Sequence, residues 1–156
     1  MFASVTRLRV GSVGYLAAFL WLTFLSQRQV TRASGFLGGR LLFDARLTFW
    51  TLTVWESEQA MKQFRGSAAH AKAMPRLVLW CDEAAYAHWM SSGDAVPHWQ
   101  EAYEHLLREG RLSRVAHPSA AHEARHFPKP RLQPLIGQDL KPSSKAEVPI
   151  LPRKSA

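Results

Sequence analysis

The segment that most constrains the fold is an alternating run at positions 46–55. Both of its faces carry large apolar side chains, namely Leu47, Phe49 and Trp55 on one face and Trp50, Leu52 and Val54 on the other. A period of two is typical of a β-strand, and a strand with two apolar faces is covered on both sides. Burying one large apolar side chain contributes roughly 1.5–3 kcal/mol, so several left exposed would favour aggregation. We therefore expect this strand to lie in a sheet that is covered on both faces.

The remaining pattern places this strand third in a recognisable order. The predicted strands are residues 5–10, 36–43, 46–55 and 84–90, and the predicted helices are residues 13–35, 58–65, 68–74 and 97–110. The order βαββαβ with an appended C-terminal helix predicts an α+β, ferredoxin-like antiparallel sheet. The helices of that fold cover one sheet face. We therefore expect a homodimer whose sheets pack face to face, which makes a dimeric α/β barrel with a cavity between or beside the sheets.

Local signals set the predicted element ends. Ser57 and Ser67 stand where helix N-caps are expected, and Pro75 should end or kink the helix over residues 68–74. The pair Gly38-Gly39 predicts a bulge or a close backbone approach in the second strand.

The first predicted helix contains the most apolar run of the chain, residues 13–25. This run is shorter than the roughly 20 residues that a spanning helix needs, and no small-residue cleavage site follows it. Its helical stripe consists of Leu16, Phe19, Leu20, Thr23, Phe24, Gln27 and Val30, and Gly35 is a plausible end. We favour a buried core helix in a cytoplasmic protein, and a signal sequence or membrane contact is the alternative.

Charge and proline content divide the 156 residues at position 110. Of the formal net charge of +8, residues 111–156 contribute +6, from nine basic and three acidic side chains. Seven of the nine prolines also lie there, which predicts a tail without helix or strand ladder, extended or disordered, after a domain of residues 1–110. Because the domain itself is nearly neutral, we expect no specific nucleic-acid partner.

Several kinds of site are excluded or disfavoured by the residues themselves. A single cysteine, Cys81, rules out an intramolecular disulfide and a multi-cysteine metal centre. The acids Asp82 and Glu83 that follow it raise a thiol pKa, so Cys81 is not expected to be a nucleophile. These two acids are interpreted as end-of-element residues. The tail histidines His117 and His122, with His126, are interpreted as solvated, and no metal site is predicted.

Residues 49–77 (FWTLTVWESEQAMKQFRGSAAHAKAMPRL) carry a more specific pattern. An apolar strand ends in Trp-x-Ser, an Ala-Met helix follows, and then comes Ser-x-x-His. With the Gly-Phe-Leu-Gly-Gly segment after the first helix and the run Trp-Cys-Asp-Glu-Ala at residues 80–84, the chain resembles the dimeric α/β-barrel monooxygenases of the antibiotic biosynthesis type. The resemblance covers about residues 3–107 and includes the spheroidene monooxygenase branch.

This resemblance implies a monooxygenase-like oxidoreductase that acts on a hydrophobic small molecule, with heme as a candidate cofactor. The heme-degrading branch uses an Asn on its first strand and a Trp and a His on its second helix. The corresponding helix positions here are Phe64 and Met74, and the chain has no Asn. No catalytic set transfers, so the alternative is a non-catalytic small-molecule-binding or interaction module on the same dimeric fold.

Four residues are the candidates for the site. His70 and His88 are the catalytic candidates, because a neutral imidazole can move a proton or ligate heme iron. Arg40 and Trp55 are the cofactor-binding candidates, the first for a carboxylate and the second as a wall of a flat apolar pocket. The competing interpretations are a surface or core histidine, a solvated arginine and a core tryptophan.

Overall fold

A computed structural model gives the fold for residues 1–44, 46–130 and 137–143, which are the residues described below. The strands are β1 (Phe2–Val10), β2 (Phe36–Asp44), β3 (Thr48–Trp55), β4 (Cys81–Met90), β5 (Arg111–Leu112) and β6 (Gly137–Leu140). The helices are α1 (Leu16–Val30), α2 (Glu58–Arg65), α3 (Ala68–Trp80), α4 (Trp99–Glu109) and α5 (Ala120–Glu123), with a 3-10 turn (Val13–Tyr15) before α1. All six strands pair antiparallel in the order β5-β4-β1-β3-β2-β6. The predicted α+β, ferredoxin-like class is confirmed.

The glycine pair of β2 behaves as the sequence predicts. The pairing of β2 with β3 shifts register between Phe36 and Gly38, which is a bulge. A side chain at Gly39 would place its Cβ 2.5 Å from the carbonyl oxygen of Leu52, so the two backbones need a glycine there. α1, in contrast, ends at Val30 rather than at Gly35.

Two elements extend beyond their predicted bounds. α3 continues through Pro75 to Trp80, although proline removes one helical hydrogen bond. Leu77 and Trp80 pack against a cluster that includes Phe19, and this packing offsets the lost bond. β4 then begins directly at Cys81 instead of at residue 84.

The two predicted helix caps have different outcomes. The Ser57 hydroxyl accepts the Ala60 N–H at 3.2 Å and so caps α2 as expected. The Ser67 side chain makes no cap bond to α3. It instead donates to the Phe64 carbonyl oxygen at 3.0 Å, which fastens the turn between α2 and α3.

The sheet is covered on both faces within one chain. α1, α2 and α3 pack on the face that carries Trp55, whereas α4 packs Ala102 and Leu106 against the face that carries Trp50 and is joined there by Phe127 from the tail. Trp50 is left only 1% exposed. The prediction that helices cover a single face is therefore wrong, because the appended helix folds back onto the sheet. The homodimer stays a prediction. The exposed sheet face from which we inferred it is covered by α4 and Phe127.

The core-helix interpretation of α1 is correct for only one side of the helix. Phe19, Leu22 and Val30 are buried, whereas Leu20 and Phe24, which the stripe assigned to the core, are exposed. α1 contacts the rest of the chain through one side only. The predicted apolar stripe was centred on a neighbouring side of the helix and therefore included residues that face solvent. No helix in the described part of the chain is long and apolar enough to cross a membrane.

Part of the tail is ordered against the sheet. β5 pairs with β4 and β6 pairs with β2, so the tail extends the sheet at both edges. The prediction that this segment forms no helix and no ladder is wrong at β5, α5 and β6, because the prolines of the described tail fall outside these elements. The remainder of the predicted tail lies outside the described residues, and the domain boundary at residue 110 stays a prediction.

Candidate functional site

The helix-covered side of the central strands carries a band of polar side chains, five with hydroxyl groups and one with an imidazole. Ser4 lies between Thr53 and His88 in the register of β3, β1 and β4, and Thr6 lies between Thr51 and Tyr86. Because directly paired residues point to the same face, these six side chains form two adjacent rows under the helices. A polar band in an otherwise apolar layer offers donors and acceptors to a bound molecule.

His88 occupies one end of this band. Its ring lies 5.0 Å from the Tyr86 ring and 5.5 Å from the Phe2 ring, measured between centroids. Burial lowers the pKa of His88, and the positive charge of Arg65 lowers it further. The imidazole is therefore neutral at neutral pH and able to accept a proton.

His70 lies at the start of α3 and is held by its neighbours. Its backbone N–H donates to Gln29 Oε1 at 3.1 Å, and its Nδ1 lies 3.2 Å from the carbonyl oxygen of Arg65. Burial lowers the pKa of His70, the contact with that carbonyl raises it in part, and the Arg65 charge lowers it. Since a carbonyl only accepts, the contact favours the tautomer with the proton on Nδ1, which leaves the Nε2 lone pair free.

Aromatic rings connect the two histidines. The His70 ring lies 4.8 Å from Phe64, and Phe64 lies 5.2 Å from Trp55. Trp55 is fully buried and is the strand partner of Phe2, which contacts His88. We call these six residues the aromatic row: His70, Phe64, Trp55, Phe2, His88 and Tyr86. The structure thus brings three of the four predicted site residues to one side of the sheet.

Arg40 is the predicted site residue that lies elsewhere. It pairs with Leu52 in the sheet register and therefore points to the α4 side, opposite Trp55. Its Nε lies 3.5 Å from Asp139 Oδ1, beside a groove of about 210 Å³ that Val96 and Leu140 also line. Arg40 and Trp55 therefore do not form one cofactor site.

A buried ion network on the α4 side was missed by the sequence reasoning. Arg7 and Glu83 are 3% and 1% exposed, and Arg7 Nη1 donates to Glu83 Oε2 at 2.5 Å. Arg9 Nη1 lies 2.8 Å from Glu83 Oε1, and the guanidinium of Arg9 also holds Asp82 through two hydrogen bonds. Glu83 lies inside β4, so its interpretation as an end-of-element residue is wrong. The alternating arginines on β1 and the acid pair on β4 are the sequence signal that could have suggested an ion network, although they do not give the register that pairs them.

A tail residue also binds this network through a hydrogen bond. Ser119 Oγ donates to Glu83 Oε1 at 3.0 Å, and Ser119 also caps α5 by accepting the His122 N–H. His122 is 6% exposed, and its Nδ1 accepts the Ala84 N–H at 3.3 Å, so the prediction that it is solvated is wrong. The network is a structural anchor for the tail, remote from the aromatic row.

Cys81 lies in an environment that disfavours reaction of its thiol. It is buried at the start of β4, and burial first and Asp82 second raise the pKa of its thiol to about 12. The expectation that it is not a nucleophile agrees with this environment. Among the residues that the structure describes, no group of three or more His, Cys, Asp or Glu side chains is placed to hold a metal ion.

A comparison with protein-family models finds a match. Residues 1–76, just under half of the chain, match the family model of antibiotic biosynthesis monooxygenases, abbreviated ABM. Residues 1–76 are thus similar to the ABM family. The resemblance drawn from residues 49–77 is thereby confirmed, and the matched segment includes Trp55 and His70 but not His88. No curated protein matches the chain.

Solved structures agree at the level of the fold. A protein from Mycobacterium tuberculosis superposes with a TM-score of 0.54 at 16% identity, covering 60% of this chain and 97% of that one. A conserved protein from Methanosarcina mazei gives 0.52 at 15% identity, covering 58% and 92%. A crystal structure of an antibiotic biosynthesis monooxygenase gives 0.52 at 14% identity, covering 62% and 100%. At these identities the likeness concerns the ABM fold alone.

Proposed function

We propose that this chain is a monooxygenase-like oxidoreductase that binds a flat hydrophobic small molecule along the aromatic row. The observation that carries the proposal is the pair of neutral imidazoles, His70 and His88, joined by aromatic rings on one side of the sheet. Apolar walls with a few polar groups are typical of small-molecule sites. The family match supports the same class of chemistry.

Each residue of the proposed site has a role that follows from its chemistry. The half-buried ring of Phe64 supplies an apolar wall for the substrate, and the fully buried ring of Trp55 supports Phe64 from behind. The hydroxyl groups of Ser4 and Thr6 orient polar substituents of the substrate. His88, at the end of the polar band, is the group that takes a proton from an acidic C–H or O–H bond, because its imidazole is neutral. Loss of that proton makes the substrate more electron-rich and thus more reactive toward dioxygen.

Dioxygen consumption with a panel of polycyclic hydroxyaromatic compounds tests this assignment. We expect His88→Gln to lower kcat by about a hundredfold, the usual contribution of a general base. His98→Gln is the matched control, because His98 is exposed before α4. Turnover that His88→Gln leaves unchanged would remove His88 from the proposed chemistry.

Heme is a candidate cofactor that the donor chemistry of His70 fits. Metal-ligating histidines characteristically donate one ring N–H to a carbonyl, and the Nδ1 contact with Arg65 has that form, which leaves Nε2 for iron. Bound heme would supply an iron that activates dioxygen, and His70 would hold it. A hemin titration should then give a Soret shift that His70→Ala abolishes and His98→Ala retains. A shift that survives His70→Ala would exclude this ligand.

The second candidate function is a non-catalytic binding module on the same fold. It is favoured by the absence of Asn and by Phe64 and Met74 at positions where the resemblance implies Trp and His. Saturable quenching of tryptophan fluorescence by the same aromatic compounds, without dioxygen consumption, would support the module and contradict the enzyme.

A further inference from the structure

The outward side of α1 and of the turn before it is an exposed apolar surface. We call it the apolar helix face, and it consists of Val13, Ala17, Leu20, Trp21 and Phe24. Trp21 is 60% exposed and Val13 72%, and the rings of Trp21 and Phe24 stack 5.9 Å apart. Several large apolar side chains exposed together mark an interaction site, whereas single ones are ordinary.

A neighbouring helix continues this surface. α1 and α3 run side by side: Tyr15 stacks on Trp80 at 6.3 Å at one end, and Gln29 Nε2 donates to the Ser67 carbonyl at 2.9 Å at the other. Leu79 on α3 is 61% exposed. The two helices thus form one layer that presents apolar side chains to solvent.

The charges on this layer are all positive. Arg28 and Arg32 lie at and beyond the end of α1, Lys72 and Arg76 are exposed on α3, and neither helix contains an Asp or a Glu. The Arg28 guanidinium lies 5.8 Å over the Phe24 ring, so the cation borders the apolar helix face directly. Exposed aromatic side chains bordered by Lys and Arg suit a protein surface that binds the headgroup region of an anionic membrane.

We propose that the α1–α3 layer docks on the surface of a lipid bilayer that contains anionic lipids. α1 has 15 residues and a length of about 22 Å, which is shorter than the ~30 Å hydrocarbon core, so it lies in the interface and does not cross it. Trp21 and Phe24 insert at the headgroup boundary, and the four basic side chains pair with lipid phosphates and carboxylates.

The same charges argue against a second copy of this chain as the occupant. A two-fold interface brings the same surface patch of both subunits together. It would place two sets of Arg28, Arg32, Lys72 and Arg76 near one another with no acidic side chain from either helix to pair with them. An anionic bilayer supplies the missing opposite charge. The inference does not depend on the proposed function.

Vesicle flotation with the full chain tests the inference. We expect the protein to float with phosphatidylcholine vesicles in which a third of the lipid is phosphatidylserine, and to float poorly with phosphatidylcholine alone or at high salt. Trp21→Asp should lower the partition coefficient by about tenfold or more. The matched control is Leu107→Asp, since Leu107 is 53% exposed on α4, on the other side of the sheet.

Two double variants that each remove two positive charges separate the contribution of this face from that of the basic tail. Arg28→Gln with Arg32→Gln should also lower binding by about tenfold, whereas Arg114→Gln with Lys129→Gln removes two exposed tail charges and should change it little. This pair carries the test if Trp21→Asp does not fold, as judged by circular dichroism.

Three results would overturn the proposal. They are absence of wild-type flotation with anionic vesicles, equal losses from the helix and tail charge variants, and flotation unaffected by Trp21→Asp. A dimer in light scattering that Trp21→Asp dissociates, without vesicle binding by the wild type, would assign the face to a second copy.

Discussion

Glu83→Gln tests the buried ion network, which fastens the tail to the sheet. The carboxylate of Glu83 receives hydrogen bonds from Arg7 and Ser119 and an ion pair from Arg9. The substitution keeps the volume of the side chain and removes its charge. The amide nitrogen of the new glutamine then faces other donors. Arg7, which is 3% exposed, loses the one acidic partner that lies at hydrogen-bond distance in the described part of the chain.

The magnitude follows from the burial of both partners. Breaking a buried ion pair by removing one partner costs about 3–5 kcal/mol, because the other charge remains out of water. For a chain of this size that corresponds to a fall in Tm of roughly 6–20 °C. Replacing both partners, Arg7→Met with Glu83→Leu, should recover most of the loss, since an apolar pair carries no desolvation penalty.

Urea unfolding followed by tryptophan fluorescence measures the effect, with Trp50 as a local reporter 5.7 Å from the Arg7 guanidinium carbon. The control is Glu58→Gln, which removes an exposed pair with Lys62 on α2 and should leave the midpoint nearly unchanged. A Glu83→Gln midpoint equal to that of the wild type would refute the reasoning. So would a double variant less stable than the single one.

Four further predictions follow from the same structure. Phe127→Ala should destabilise the chain by about 3–5 kcal/mol in urea unfolding, because Phe127 is a tail residue buried in the core. Ser57→Ala should cost about 1 kcal/mol by loss of the α2 cap, measured in the same way. Cys81 should not react with a thiol reagent at pH 8 until the chain is denatured, because the pKa of its thiol is raised to about 12. The lowered pKa values of His70 and His88 mean that protonation favours the unfolded chain: their contribution is present above the unfolded pKa of about 6.5 and is lost as pH falls through the folded values. Replacing both histidines by Gln should therefore flatten the fall in Tm between pH 7 and pH 5.

Local pattern was sufficient for the central strands and failed for contacts between distant segments. The alternation of residues 46–55 correctly predicted a strand covered on both sides, because burial acts on each residue of the strand directly. The pairing of Arg7 with Glu83 depends on the register of β1 against β4, which no short-range signal sets. His122 was misjudged for the same reason, because its partner Ala84 lies 38 residues away.

The candidate site was predictable residue by residue but not as an assembly. His70, His88 and Trp55 were chosen for their chemistry, and the aromatic row that joins them arises from Phe2 and Phe64, neither of which was a candidate site residue. Arg40 and Trp55 were chosen separately, the first to bind a carboxylate and the second to wall an apolar pocket, and the sequence did not say which sheet face each one occupies. The register puts them on opposite faces, and a shift of one residue would have reversed that result.

Closure of the second sheet face changes where any partner can bind. α4 and Phe127 fill the face on which a face-to-face dimer would form, and the ion network beneath them adds buried charges that need that cover. The exposed large apolar side chains of α1 and α3 therefore lie on the opposite side, above the aromatic row. A dimer of this chain would then use another surface, such as this layer, the outward side of α4 or an edge of the sheet, and a dimer through the layer would compete with vesicle binding. Sedimentation in the presence and absence of anionic vesicles separates these cases in one experiment: competition indicates that the dimer uses the α1–α3 layer, and dimerisation that is independent of vesicles indicates a surface outside it.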